Sequence, residues 1–354
     1  MGCAQRYPSG GKAQKPDEGL KHAEKTTYHS VYVDGYRYAQ PILRCCATKI
    51  LKQIPIFTDD PGWHGKRLSE AFLSRGLEAV FVSLKDCYLD LQPGRAGVVI
   101  PGFESALPKG VFVRGVPGGT LQQVIARLDI LHALKMLGVV VYNDGHAIER
   151  TVDKAMTSLL LHLNNVPTPP TWVCESRHHA QSIVLRETMA GRSLVIKPLF
   201  GSQGQGVRKL ESGVALPVPM EQHVDGLYYL QGYIDSGEGE WHDYRVFVIH
   251  GRAVGAMIRH GCQWINNVAM GGRCEWIEPS GEIANLALAA ASVVEIDYCG
   301  VDVIRDRQGK LYVLEVNSIP AWKGLQGVAE ADIAQLLAED FLGQLQSGSK
   351  RAVA

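Results

Sequence analysis

Apolar and polar residues follow two different patterns along the chain, and the first covers residues 54–145. Short apolar runs predict strands there, whereas Leu68, Ala71 and Phe72 recur at the spacing of one helix face. Thr120 is a predicted N-cap for a second helix that starts at residue 121. Strands that alternate with helices indicate a parallel sheet. The predicted strands are residues 54–58, 79–84, 97–101 and 139–142.

The pattern changes after residue 150. Residues 151–166 predict one helix, "PTPPTW" predicts an extended link, and β-rich runs then return in pairs joined by glycine-containing turns. An alanine-rich helix is predicted at residues 284–296, so the second half is α+β and largely antiparallel. The predicted division is a poorly ordered extension (1–53), an α/β domain (54–150), a lid (151–225), a metal-binding subdomain (226–345) and a tail (346–354).

Polar residues interrupt an apolar strand near the end of the chain, in "YVLEVNSIPAW". Side chains alternate along a strand, so Glu315 and Asn317 share one face. Pairing around the Gln308-Gly309 turn can bring Asp302 of "GVDV" to the same region. Two carboxylates and an amide oxygen suit Mg²⁺, or Mn²⁺, which fills its remaining positions with water and phosphate. The alternative is that all three residues face water on a half-exposed strand.

A glycine-rich segment, "VIKPLFGSQGQGV", follows a predicted strand that ends at Lys197. Gly201, Gly204 and Gly206 would let backbone N–H groups approach phosphate oxygens closely. The segment leads into a strand rather than a helix, so it is neither a P-loop nor a dinucleotide fingerprint. A glycine-rich hairpin without function is the alternative. Because Lys197 has no acidic partner nearby in sequence, we expect a phosphate-binding loop.

A third set of polar residues lies in "EWHDYRVFV" and "WINNVAMGG". Asp243 and Arg245 share a strand face by the period of two, and Asn267 follows in the second segment. An arginine here could stabilise charge on a transferring phosphoryl group or a tetrahedral centre. Equally, Asp243 and Arg245 could form a structural ion pair.

Composition excludes several classes of protein. Lys+Arg and Asp+Glu both total 36, which argues against a nucleic-acid binder because phosphate contacts normally require a basic excess. No apolar run approaches the roughly 18 residues of a membrane-spanning helix. The eight cysteines show no paired metal spacing and are expected to be free thiols in a reducing cytoplasm.

The order of these motifs resembles the ATP-grasp superfamily, and within it the RimK-type α-L-glutamate ligases. The resemblance rests on "VDKAMT", the glycine loop, "LQGYI", "DYR", "NN…GG", "GVDV" and "EVNSIPAW", and it extends over residues 54–345. "FTDDPGWHGKRL", "RGVPGGT" and "EVNSIPAWKGLQ" are similar to the branch associated with tetrahydromethanopterin-type cofactor synthesis. The implied fold is an α/β N-terminal domain followed by an α+β ATP-grasp fold, whose two subdomains clasp ATP.

The resemblance also implies roles for individual residues. Lys154 and Lys197 would contact ATP phosphates beneath a mobile loop at residues 201–207, which includes Ser202 and Gln203. The backbone of Gln231, Tyr233 and Ile234 would read the adenine. Asp302, Glu315 and Asn317 would hold one or two Mg²⁺ ions. Arg245 and Asn267 would lie at the reacting carboxylate, with Arg114 and Asp243 as substrate-binding residues.

The sequence departs from the family pattern at a few positions. Gly232 stands where many relatives have an acidic residue, and Ile265 and Met270 stand where related ligases have arginines. Arg259 or Arg273 could replace those arginines in space. These differences bear on the substrate rather than on ATP and metal binding.

The implied reaction joins an amino acid, expected to be L-glutamate, to the carboxylate of a small-molecule acceptor through an acyl phosphate. Two alternatives stay open: glutamylation of a peptide or protein C-terminus, and an ATP-binding regulatory protein without catalysis. No nucleic-acid or membrane partner is expected, and a homo-oligomer is left open.

Overall fold

The computed structural model describes residues 52–201, 204–213, 216, 226–237, 241–261, 263–264 and 272–351, and two strands that precede them. These two strands, β1 (Tyr28–Val33) and β2 (Tyr36–Pro41), form an antiparallel hairpin in a unit of their own. The sequence reasoning predicts no regular element there. The overlooked signal is the Asp34-Gly35 dipeptide between two runs rich in Tyr and Val, which is a strong hairpin pattern.

A four-stranded parallel sheet forms the core of the N-terminal domain, with strand order β4-β3-β7-β8. The predicted strand at 97–101 is not part of it, because β6 pairs with β5 in a separate antiparallel hairpin. Its place is taken by β7, an apolar run that the sequence reasoning missed. The elements are β3 (Lys52–Phe57), α1 (Gly62–Leu73), β4 (Leu77–Val82), β5 (Tyr88–Asp90), β6 (Gly97–Val99), β7 (Gly110–Val113), α2 (Leu121–Met136) and β8 (Val140–Tyr142).

The helix predicted for residues 151–166 is confirmed over residues 154–163, and a separate short helix precedes it. Helix α3 (Gly145–Val152) ends before Asp153, and α4 (Lys154–Leu163) begins after it. The Asp153 carboxylate accepts hydrogen bonds from the N–H groups of Ala155 and Met156, so it caps α4 and separates the helices. Lys154 is therefore the first residue of a helix rather than an interior one.

The next segment forms a small antiparallel sheet with strand order β11-β10-β12-β9. One face packs against α5 through an apolar cluster that includes Ala180, Val184, Leu194 and Leu230. The opposite face of β10 and β12 carries Lys197, Tyr229 and Gln231. The elements are β9 (Thr171–Cys174), α5 (Arg177–Met189), β10 (Leu194–Lys197), β11 (Arg208–Leu210) and β12 (Tyr228–Gly232).

The last segment contains a five-stranded antiparallel sheet with strand order β15-β14-β13-β16-β17. Its helix α6 packs through small residues such as Ala287 and Ala290 into a cluster of buried valines. The elements are β13 (Trp241–Ile249), β14 (Arg252–Gly261), β15 (Arg273–Ile277), α6 (Gly281–Val294), β16 (Tyr298–Arg305), β17 (Leu311–Asn317), α7 (Lys323–Gln326) and α8 (Ile333–Arg351). Within the described part of the chain, no helix has the length and apolar character needed to cross a membrane.

A buried asparagine joins the parallel sheet to this last sheet. Asn143 follows β8, and its Nδ2 donates to the carbonyls of Tyr298 and Ser318, both at 2.7 Å. Its Oδ1 accepts from the N–H groups of Asp297 and Tyr298, both at 3.0 Å. Every donor and acceptor of this buried amide is used. The carboxyl edge of the parallel sheet is thereby fixed against the start of β16 and the end of β17.

Candidate active site

The predicted metal ligands lie on adjacent strands. Asp302 on β16 is the register partner of Glu315 on β17, and the register shifts immediately after Asp302. Glu315 and Asn317 share a face, and the Asn317 Nδ2 donates to Glu315 Oε1 at 2.9 Å. This hydrogen bond orients the Glu315 carboxylate, and the side-chain oxygen of Asn317, Oδ1, is a further candidate ligand atom. The hairpin therefore assembles the three oxygen-bearing side chains that the sequence pattern singled out.

Asp302 belongs to a network of four charged residues, in which Asp243, Arg259 and Asp302 are buried and Arg245 is partly buried. The Arg245 Nε and Nη2 donate to the two Asp302 oxygens, both at 2.6 Å. Arg259 makes the equivalent fork with Asp243, at 2.6 and 2.7 Å, and its Nη2 lies 3.0 Å from Asp302 Oδ2. Burial alone would raise the pKa of Asp302, but Arg245 and Arg259 more than offset it and hold that pKa well below its usual range. Asp302 thus stays anionic.

This network bears on two interpretations of the sequence. Arg245 pairs with Asp302 on the neighbouring strand rather than with Asp243 on its own strand, because the register places Arg245 opposite Asp302. Asp243, predicted to bind substrate, gives both oxygens to Arg259, its own register partner. Of the two arginines proposed as replacements, Arg259 lies in the network, whereas Arg273 is 65% exposed and pairs with Glu275.

Two lysines lie close to this hairpin. The Lys154 Nζ donates to the carbonyls of Leu199 and Gly201, at 3.1 and 2.9 Å, which fixes it beneath the glycine-rich segment. Burial lowers the pKa of Lys197 to about 8, and the charge of Lys154 adds to this against the opposing effects of Glu315 and Asp302. Burial also lowers the pKa of Lys154, again opposed by Glu315. Two largely buried ammonium groups, one of which lowers the pKa of the other, favour a polyanionic ligand.

A chain of hydrogen bonds holds Lys197 in place. Its Nζ donates to Gln231 Oε1 at 2.6 Å, and the Gln231 Nε2 donates to the hydroxyls of Tyr229 and Thr171, at 3.1 and 3.2 Å. The Tyr229 hydroxyl lies 2.8 Å from that of Ser158. Gln231 was predicted to act through its backbone, but its buried side chain positions a phosphate-binding candidate. Sequence reasoning missed Tyr229, although alternation along "YYLQG" places it on the same face as Gln231.

Only some of the remaining nucleotide-binding candidates lie among the described residues. Gly201, Gly204 and Gly206 have φ values of 140°, 72° and 72°, a backbone region that favours glycine. The Tyr233 N–H donates to the Ser193 carbonyl at 3.0 Å, so it is not available to an adenine, and Ile234 follows it directly. The candidates Ser202, Gln203 and Asn267, and the variant positions Ile265 and Met270, lie outside the described residues.

Two distant sequence motifs meet at the carboxyl edge of the parallel sheet. Trp322 of "IPAW" packs fully buried against Trp63 and His64 of "GWHG", and its backbone N–H donates to His64 Nε2 at 3.1 Å. The Arg114 guanidinium lies over the Trp322 ring, 4.9 Å from its centroid. Burial lowers the pKa of His64 to about 4, helped by the charges of Arg114 and Lys323. His64 is therefore a neutral acceptor at pH 7.

Arg114 carries unpaired donors in this cluster. Its Nε and Nη1 are shielded from solvent and have no hydrogen-bond partner among the described residues. Burial lowers its pKa, opposed by Tyr298. Because an unpaired buried guanidinium N–H is costly, the arrangement favours an anionic ligand such as a carboxylate. Sequence reasoning found Arg114 but not His64 or Trp322, whose meeting depends on the packing of the two domains.

The donor set fits both a nucleotide triphosphate and Mg²⁺. Two lysines suit phosphate oxygens, while Asp302, Glu315 and Asn317 supply the hard oxygen ligands that Mg²⁺ prefers. Asp302 is kept ionised by its arginines, as a metal ligand must be. Lys197 at the small sheet and Lys154 at the start of α4 supply positive charge, and the carboxylates of the large sheet supply negative charge. Such a combination suits a phosphate that carries a metal ion.

Comparison with known families gives a consistent result. The RimK PreATP-grasp domain matches residues 53–148, and the RimK-like ATP-grasp domain matches residues 151–341. Together these two matches include both sheets of the site and the parallel sheet before them.

Curated relatives carry related names. The tetrahydromethanopterin:alpha-L-glutamate ligase of Methanocaldococcus jannaschii is 37% identical over 227 residues, which cover 62% of this chain and 76% of that protein. The ligase of the same name from Methanococcus maripaludis is 32% identical over 238 residues, covering 66% and 79% respectively.

A solved structure shares the fold at lower identity. The ATP-grasp ligase PsnB, complexed with a minimal precursor, Mg and ADP, superposes with a TM-score of 0.64 over 83% of this chain and 97% of PsnB, at 20% identity. The parallel domain, the small sheet and the large sheet are thus one known architecture. The chain belongs to the RimK-like ATP-grasp family and is an ATP-dependent ligase that forms amide bonds.

Proposed function

We propose that this ligase adds L-glutamate to a carboxylate of a tetrahydromethanopterin-type molecule. The observation that carries the proposal is the meeting of Lys154 and Lys197 with the Asp302, Glu315 and Asn317 oxygens at one site. The names of the two archaeal relatives support glutamate as the amine and a tetrahydromethanopterin-type acceptor.

The proposed reaction has two steps. An oxygen of the acceptor carboxylate attacks the γ-phosphorus of ATP, ADP leaves, and an acyl phosphate forms. The glutamate amine then attacks the acyl carbon, inorganic phosphate leaves, and the amine loses a proton to solvent. No covalent enzyme intermediate is needed.

Each charged side chain has a proposed part in these steps. Lys154 and Lys197 hold phosphate oxygens of ATP, the Gln231 side chain holds Lys197, and the backbone of Ile234 contacts the adenine. Asp302, Glu315 and Asn317 would hold Mg²⁺, which supplies charge neutralisation of the phosphoryl oxygens when it is bound.

Substrate recognition involves two arginines. The Nε and Nη1 of Arg114 are shielded and unpartnered among the described residues, so we assign Arg114 to a substrate carboxylate. The Nε and Nη2 of Arg245 donate to Asp302, and its Nη1 takes no part in these two hydrogen bonds. We assign this Nη1 to the reacting carboxylate. Asn267 keeps its proposed place at that carboxylate, and Asp243 is reassigned from substrate contact to holding Arg259.

The test is a mass-spectrometric assay with ATP, Mg²⁺, L-glutamate and a tetrahydromethanopterin-type acceptor. We expect a product heavier by one glutamyl residue, formed together with ADP. Glu315→Gln should abolish product and ADP, because it removes a charged oxygen ligand. Glu275→Gln, at an exposed position on the same sheet, is the matched control and should retain activity.

Two results would contradict parts of the proposal. If ADP release persists in Glu315→Gln, the metal assignment is wrong. If the protein binds ATP but modifies no pterin, the acceptor is wrong, and peptides with free C-termini are then tested as acceptors.

A further inference from the structure

A cluster of metal-ligating side chains lies on the N-terminal domain, apart from the site described above. It joins His132 on α2 to His146 and Glu149 on α3. His132 Nε2 lies 2.8 Å from Glu149 Oε1, and His146 Nδ1 lies 3.2 Å from Glu149 Oε2. The two imidazole rings are 4.3 Å apart. One carboxylate therefore bridges two histidines from different helices.

The backbone around the cluster holds these side chains close together. The Asp144 side chain accepts from the N–H of Ala147 at the start of α3 and also pairs with Lys135 on α2. A Cβ at Gly145 would come within 2.6 Å of the His132 ring, so glycine allows the ring to lie against the helix start. His146 and Glu149 are three residues apart and share a helix face. The arrangement is therefore preformed by the α2–α3 contact.

The separations suit a tetrahedral transition metal. One ligand atom from each residue lies within 4.8 Å of the others. Zinc bonds of about 2.0–2.2 Å place neighbouring tetrahedral ligands about 3.3 Å apart. The two histidine–glutamate distances, 2.8 and 3.2 Å, run to different oxygens of the Glu149 carboxylate, so closing the three residues around one metal requires rotation of the exposed His146 ring and of that carboxylate. The His146 side chain is 64% exposed, which leaves the fourth position open to water.

We propose that His132, His146 and Glu149 bind a zinc-type divalent transition metal, with water as the fourth ligand. Imidazole nitrogens with a single carboxylate favour Zn²⁺, Co²⁺ or Ni²⁺ over Mg²⁺, which prefers an all-oxygen shell. The metal would cross-link α2 to α3. Because α3 leads through Asp153 directly to Lys154, this cross-link would fix the connection between the N-terminal domain and a phosphate-binding lysine.

The experiment is a titration of tag-free, full-length protein with Co²⁺ in the presence of excess Mg²⁺, followed by visible absorption. Excess Mg²⁺ occupies the oxygen site, and Co²⁺ bound to nitrogen ligands in a tetrahedral geometry absorbs much more strongly than the hydrated ion. We expect one equivalent bound. His146→Ala and Glu149→Gln should each weaken binding at least tenfold. His162→Ala, at an exposed histidine outside the cluster, should bind as wild type does.

A second readout is the unfolding temperature with and without Zn²⁺. Zn²⁺ should raise it for wild type and His162→Ala but not for the cluster variants, because a ligand stabilises only the fold that binds it. Circular dichroism establishes that both cluster variants are folded. The proposal is overturned if wild type binds no Co²⁺ at millimolar concentration, or if both cluster variants bind Co²⁺ as tightly as wild type.

Discussion

Replacing Gln231 with leucine tests whether this residue acts through its side chain or only through its backbone. The structure shows the Gln231 Oε1 accepting from the Lys197 ammonium at 2.6 Å, and Gln231 as a residue is 1% exposed. Leucine has nearly the same volume but no acceptor, so the strand and its backbone would be retained. A role confined to the backbone predicts unchanged ATP binding in Gln231→Leu.

The expected loss follows from the type of bond. A hydrogen bond to a charged group contributes about 1.5–3 kcal/mol, which corresponds to roughly a 10- to 150-fold change in an equilibrium or rate constant. The Lys197 ammonium is already destabilised by burial, so loss of its acceptor should lower its pKa further below about 8. We therefore expect kcat/KM for ATP to fall 10- to 150-fold at pH 7.5, and more at higher pH.

Steady-state kinetics and ATP titration calorimetry measure this effect. Gln231→Glu is the matched control, because its carboxylate keeps an acceptor for Lys197 and can accept from the Tyr229 hydroxyl. It should retain most activity and extend it to higher pH. A Gln231→Leu protein with a wild-type unfolding temperature and an unchanged KM for ATP would refute the inferred role of the side chain.

Three further predictions concern pH and stability. The KM for ATP should rise as the pH increases through about 8, where Lys197 loses its proton. This rise should be smaller in Lys197→Arg, because arginine stays charged at that pH. An identical pH profile of KM in the variant would exclude Lys197 as the titrating group. The pKa of His64 is about 4 in the folded protein, below its ordinary value near 6.5. As the pH drops from 6.5 towards 4, the unfolded chain therefore binds a proton at His64 that the folded protein does not. The free energy of unfolding should fall over this pH range. Denaturant unfolding should show a shallower loss in His64→Gln, and an equal slope would contradict the assignment. Asn143→Leu should lower the free energy of unfolding by at least about 3 kcal/mol, because it leaves two N–H and two carbonyl groups unpaired, whereas exposed Asn285→Leu should change it by less than about 0.5 kcal/mol.

The fold was predictable where local patterns carry the information. Strands β3, β4 and β8 and the capped helix α2 follow from apolar runs and from Thr120, whose side chain and that of Gln123 form a capping box. The helix predicted at 151–166 is confirmed over residues 154–163, but its start was placed too early because the capping preference of Asp153 was overlooked. The pairing of β6 with β5 could not be predicted from its own residues, since an apolar run does not specify its partner strand.

The sequence by itself determined which residue types are candidates for the chemistry: the lysines, the loop glycines and the oxygen-bearing side chains that alternate along a strand. It also predicted that Asp302 lies near Glu315, because a hairpin turn is a local signal. It did not determine that Arg245 pairs with Asp302, that Gln231 holds Lys197, or that Trp322 meets His64. Only the tertiary structure decided these contacts, because they depend on the register of strands and the packing of domains that are distant in sequence. Side-chain alternation sets the face on which a residue lies, and neighbouring strands set what it meets there.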